Sequence, residues 1–147
     1  MNTTPQYNED CIKECNSLLR GELSAVETYE QAIDKFGHEG QGMPLRRIKE
    51  EHQASVRDLK DSITAMGGIP DDESGAWGTF ATAVQGAANL FGDNSAVAAL
   101  KQGEKHGENE YEEALEKDCI MPSCRSQIQT KLLPRVKSHI STLDSLG

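Results

Sequence analysis

Apolar residues recur along this chain in alternating steps of three and four, and the pattern repeats itself. From Cys11 the seam reads Cys11, Cys15, Leu18, Glu22, Ala25, Tyr29, Ala32 and Phe36. Such spacing lines one face of a helix in a bundle. A second seam runs Leu45, Ile48, His52, Ser55, Leu59, Ser62 and Met66. A third runs Val97, Leu100, Glu104, Gly107, Tyr111 and Ala114, and a fourth Ile128, Leu132, Val136, His139, Leu143 and Leu146. Gly21-Glu22, Tyr29-Glu30 and Ala32-Ile33 return 82 residues later as Gly103-Glu104, Tyr111-Glu112 and Ala114-Leu115. His52, Val56 and Leu59 return as His139, Leu143 and Leu146 at an offset of 87. A repeated helical hairpin is therefore the building block, and alternating β-branched runs that would signal strands are missing from the sequence.

These seams predict helices over 10–36, 44–66, 96–118 and 124–146, with 67–95 as a long crossover. Gly37, Gly40 and Gly42 stop the first helix, and Pro44 suits the start of the second. The crossover contains Trp77, Phe80 and Phe91, and a short helix is expected around Trp77–Leu90, packed on the bundle through those aromatics. Pro134 inside the fourth helix should bend or interrupt it. The expected fold is all-α, a four-helix bundle of two hairpins within a single domain spanning residues 1–147.

Composition narrows the partners. Net charge is −9, with 24 acidic against 15 basic residues, a surface that repels phosphate backbones and anionic membranes. No apolar run approaches the roughly 20 residues of a membrane span. Met1–Asp10 is polar and reads as no secretory leader. The four cysteines, Cys11, Cys15, Cys119 and Cys124, are too few for a disulfide scaffold, so reduced thiols in the cytoplasm are expected. With a crossover both cysteine pairs fall at one end of the bundle, as small apolar fillers, a thiolate zinc site or a redox-sensitive disulfide.

Each seam also carries one titratable residue: Glu22, His52, Glu104 and His139. Burying such groups costs several kcal/mol unless they are paired or ligate a metal. Carboxylate oxygen and imidazole nitrogen suit iron, manganese and zinc. The same four residues could equally satisfy one another, with Tyr29 and Tyr111 two turns along the same faces. Both readings stand at this point.

The Gly-Glu pair, with Tyr seven residues after the Glu and Ala three further, resembles the ferritin-like superfamily, rubrerythrin-type domains included. Chain length, the crossover and the ending from His139 to Leu146 resemble more closely a bacterial ferritin-like domain family of unknown function, often linked to stress responses. The resemblance implies Glu22 and Glu104 as terminal carboxylates and His52 and His139 as imidazole ligands of a metal site. Catalytic relatives also place a bridging Glu three residues before each His. Here those positions hold Lys49 and Val136, and Glu50 and Glu51 point about 200° and 100° away from His52 around the helix. Di-iron catalysis loses most of its support, and no catalytic residue is assigned. Two functions follow: a non-catalytic, stress-associated bundle acting through self-association as a homodimer or through a protein partner, or a protein that binds iron, manganese or zinc in metal handling or oxidative defence.

Overall fold

The computed structural model describes residues 5–36, 42–72 and 93–146, with side chains placed throughout except at 5–8, 35–36 and 93–95. The described residues are helical and contain no strand. Helix α1 spans Pro5–Phe36, α2 Gly42–Ala65 and α3 Asp93–Leu115. The fourth rod is continuous but composite: α4 (Pro122–Gln127), a π-helical turn (Ile128–Leu132) and α5 (Leu133–Leu146). No described helix is long and apolar enough to cross a membrane. The expected helix around Trp77–Leu90, and the aromatics Trp77, Phe80 and Phe91, lie outside the described residues.

The π-helical turn answers two demands of the sequence. Cys124, Ile128, Leu132 and Val136 follow one another at steps of four, and all four are buried. Steps of four drift by about 40° each around an α-helix, which would carry the last of them off the core face. A wider turn removes that drift. It also serves Pro134, which has no N–H to give and crowds the carbonyl one turn back. The N–H of Leu133 reaches Ile128 O, five residues back, in place of the usual four.

Side-chain pairs fix the direction of every rod. Ile12 approaches Gly68, and Lys49 pairs with Glu30, so α1 and α2 are antiparallel. Lys117 meets Glu14 and Glu104 meets Tyr29, so α3 also runs against α1. Asp144 bonds Lys101 and Gln127 bonds Ser62, which sets the fourth rod against both α2 and α3. It follows that α2 and α3 are parallel, and the end of α2 lies a bundle length from the start of α3. A 23-residue helix such as α3 is about 35 Å long. The long crossover expected between the hairpins is required by this geometry.

Local chemistry stops the rods where they must stop. Gly67 adopts φ +87°, its N–H bonds Thr64 O, and Gly68 N–H bonds Ile63 O, a Schellman closure of α2. A Cβ on Gly68 would stand 2.8 Å from the Ile12 side chain, so this turn needs two glycines for two reasons. At the end of α3 the Arg125 guanidinium donates to the Leu115 and Lys117 carbonyls, which have no partner within the helix. Two apolar cores result. One holds Leu19, Leu59, Ile63, Ile128 and the buried cysteines; the other holds Leu45, Ile48, Val97, Leu100 and Leu143. Between them lies a polar layer.

Candidate functional site

Glu22, His52, Glu104 and His139, one from each rod, form that layer, and each is 4% exposed or less. His52 occupies its centre. Its Nδ1 stands 2.6 Å from Glu22 Oε1 and its Nε2 2.7 Å from Glu104 Oε2. Two carboxylates accepting from one ring call for two N–H donors, the imidazolium form. Burial by itself opposes that charge; the charges of Glu104 and Glu22, and the hydrogen bonds to both, outweigh it and raise the His52 pKa well above the usual histidine value.

Glu104 is the hub. Besides His52 it accepts from Tyr29 Oη at 2.6 Å on Oε2, and its Oε1 lies 3.2 Å from His139 Nδ1. Burial pushes its carboxyl up, but the His52 charge and the hydrogen bonds from His139 and His52 prevail and hold it well below the carboxylate range. Tyr111 Oη donates to Glu22 Oε2 at 2.6 Å. The two tyrosines thus cross between repeats: that of the first hairpin serves the Glu of the second, and the reverse. Burial, then the neighbouring carboxylate charges, push both phenols above their ordinary value. The rings pack as well, Tyr29 stacking on His52 at 5.4 Å and His139 tilted against His52 at 4.6 Å.

The structure adds a member that the sequence reading set aside. Glu51 Oε1 lies 2.8 Å from His139 Nε2, with its side chain 40% exposed. Glu51 does point away from His52, and by doing so reaches the imidazole of another rod. Lys49 turns its ammonium outward to Glu30, 3.6 Å away, rather than toward the layer. Val136 is buried and supplies no ligand. Both bridging positions are therefore without a carboxylate.

A narrow cavity of about 50 Å³ reaches this layer between α1 and α3. Its walls are small: Ser17, Gly21, Ser24 and Ala25 on α1, Gly103 and Gly107 on α3. Glu22, Glu104, His52 and both tyrosines close it. The space suits one or a few waters, or an ion with a water. Ring nitrogens of His52 and His139 and a carboxylate oxygen of Glu104 lie within 4.8 Å of one another, from three rods. Donors of that kind fit a first-row divalent ion. In the hydrogen-bonded arrangement His52 and Glu104 share a proton at 2.7 Å, whereas two ligands about 2.1 Å from one tetrahedral ion stand about 3.4 Å apart. Widening this one pair by about 0.7 Å would bring it to the spacing of two ligands on one ion.

The family model for "Domain of unknown function (DUF2383)" matches residues 10–117. The chain belongs to this family. The DUF2383 match takes in Glu22, Tyr29, His52, Glu104 and Tyr111, and ends before His139. No curated protein and no solved structure matches the chain.

A second group of ligand-type side chains lies at the end of the bundle where α1 begins. Cys11, Cys15 and Cys124 are all buried, and the Cys15 thiol faces Cys124 Sγ at 3.9 Å. The shared end expected for the two cysteine pairs is what the α1–α4 contact requires. The hydrogen bond between these thiols raises the Cys15 pKa, burial adding to it, and lowers that of Cys124 to about 6 against the cost of burial. Cys119 lies nearer the surface.

Proposed function

We propose that this protein is a ferritin-like bundle that holds one first-row divalent ion, iron, manganese or zinc, on His52, Glu104 and His139, while Glu22, expected as a further ligand, holds the other ring nitrogen of His52. The convergence of His52, Glu104 and His139 from three rods inside 4.8 Å, with His52 and Glu104 lining a cavity, carries the reading. The ferritin-like assignment is supported by the parallel course of α2 and α3 and by the reciprocal Tyr–Glu pairs of the two hairpins. With Lys49 and Val136 at the bridging positions, the site takes a single ion, and its role is metal handling or oxidative defence rather than two-metal redox catalysis. An ion displaces the proton that His52 shares with the carboxylates, so affinity rises with pH.

A second reading has its own support. Among the described residues no buried side-chain nitrogen or oxygen lacks a partner, so the layer is also complete as a polar clasp. Function then passes to self-association or a protein partner.

Protein purified without affinity tag or chelator, then stripped and titrated with Fe(II), Mn(II) and Zn(II), separates the two. The metal reading expects close to one equivalent of Fe(II) or Mn(II), or of Zn(II) in a Cys15→Ser background that disables the thiol cluster, a rise in Tm that grows with ion concentration, and loss of both in Glu104→Gln. Substoichiometric metal after purification, together with no change of Tm under any of the three ions, overturns it and leaves the clasp.

A further inference from the structure

We infer that Cys11, Cys15 and Cys124 form a separate three-thiolate site for one thiophilic d10 cation, Zn(II) or Cu(I), distinct from the carboxylate–imidazole layer. Their Sγ atoms all lie within 4.8 Å of one another, and the Cys15–Cys124 separation is 3.9 Å. Three sulfurs about 2.3 Å from one ion in a plane stand about 4.0 Å apart, the spacing of the Cys15–Cys124 pair, and the other two pairs exceed it by no more than about 0.8 Å.

The surroundings match a soft ion. Cys11 and Cys15 stand one turn apart on α1, and Cys124 enters from α4, so two rods contribute and the site exists only in the folded bundle. The three cysteines share an apolar core with Leu18, Ile120 and Ile128, and the nearby oxygens are the hydroxyls of Ser62 and Ser123 beside Cys124. The Met121 N–H donates to Cys11 Sγ at 3.5 Å, the kind of backbone bond that supports a thiolate. Entry is provided from outside: Cys124, with the thioethers of Met66 and Met121, lines a surface groove of about 780 Å³ between the end of α2 and the start of α4. Soft sulfur ligands select Zn(II) and Cu(I) over the harder ions that the polar layer suits. Binding forms three S–metal bonds as each sulfur still protonated gives its proton to solvent, and no electron is transferred.

The inference is tested on the full chain, reduced and kept anaerobic, by adding Co(II) as an absorbing stand-in for Zn(II), and Cu(I) in a second arm. One equivalent giving a thiolate-to-metal charge-transfer band is expected, abolished in Cys15→Ser and in Cys124→Ser. Cys119→Ser and Glu104→Gln should keep the band, which separates this site from the polar layer whatever that layer binds. Thermal melts establish that each variant is folded. No such band with either ion, in wild-type protein whose thiols all titrate as free, overturns the proposal. So does a band that survives both Cys15→Ser and Cys124→Ser.

Discussion

The polar layer and the cysteine end are both buried clusters of ligand-type side chains, yet they are built in opposite ways. The layer is nearly symmetric. Glu22 and Glu104 are equivalent across the repeat, as are Tyr29 and Tyr111, and each tyrosine donates to the other hairpin's carboxylate. The cysteine end has no such counterpart: 82 residues beyond Cys11 and Cys15 stand Asp93 and Val97. Symmetry also breaks within the layer, since His52 joins both carboxylates whereas His139 joins Glu104 to Glu51, and the residue that corresponds to Glu51 is Ser138. Duplication of a hairpin supplies a core of paired charges; the particular features of this chain, the cysteines and Glu51, lie where the duplication has diverged.

The contrast is sharpest in stability. Glu104→Ala leaves His52 and His139 without a shared carboxylate and Tyr29 without its acceptor, in a buried site. A loss of about 3–5 kcal/mol is expected, since breaking a buried pair strands a charge. Cys15→Ala removes one small side chain from an apolar neighbourhood and should cost about 1 kcal/mol. Urea unfolding of the two variants checks the ranking, and equal losses would mean that the layer is not electrostatically stressed.

Next in size are the tyrosines. Tyr29→Phe and Tyr111→Phe each delete a hydrogen bond to a charged group, worth about 1.5–3 kcal/mol. Because both carboxylates bind the same imidazole, the double variant should deviate from additivity by at least about 0.5 kcal/mol. Strict additivity in a double-mutant cycle would show the two halves of the layer to be independent.

Acidity provides a third comparison. The raised pKa of His52 means that its contribution is complete below its ordinary value near 6.5 and disappears as pH climbs through the folded value. The lowered pKa of Glu104 means that its contribution is complete above the ordinary value near 4.5 and disappears as pH falls through the folded one. Stability should therefore hold level from about pH 5 to 6.5 and decline on both sides, and Glu104→Gln should flatten the acid limb. A Tm profile against pH reads this directly, and an unchanged acid limb in that variant would assign the decline to other carboxylates.

Much of this was legible in the residues, and what was not has physical reasons. The seams located the rods and the four residues of the layer, because a charged group on an apolar stripe has few places to go. On α1, Leu19, Ser24 and Thr28 are buried beside the expected seam, since this helix packs against both α2 and α3 and covers a wider face than a single stripe. Glu22 and His52 meet although they lie at unequal depth from the turn; α2 begins at Gly42 rather than Pro44, and both side chains are long enough to close the remainder. The Glu51–His139 bond is not legible in helix spacing, because Glu51 faces away from the histidine of its own helix and its partner belongs to another rod. The π-helical turn left a trace in the sequence, three successive steps of four ending just beyond Pro134, that only its buried outcome makes clear.

The smallest effect concerns the way in. Gly107 lines the cavity, and a Cβ built there meets nothing within 4 Å. It sits inside α3, where glycine is less favourable than alanine by about 0.8–1.0 kcal/mol, so Gly107→Ala should stabilise the fold by somewhat under that amount. The same methyl narrows the passage between α1 and α3 without touching any ligand. If ions reach His52 and Glu104 along this wall, the variant takes up metal more slowly in stopped-flow mixing while its final occupancy is unchanged. The cysteine site, entered through the groove beside Met66 and Met121, should load at the wild-type rate. Slowing at both sites, or at neither, would mean that entry depends on opening of the whole bundle and not on two separate doors.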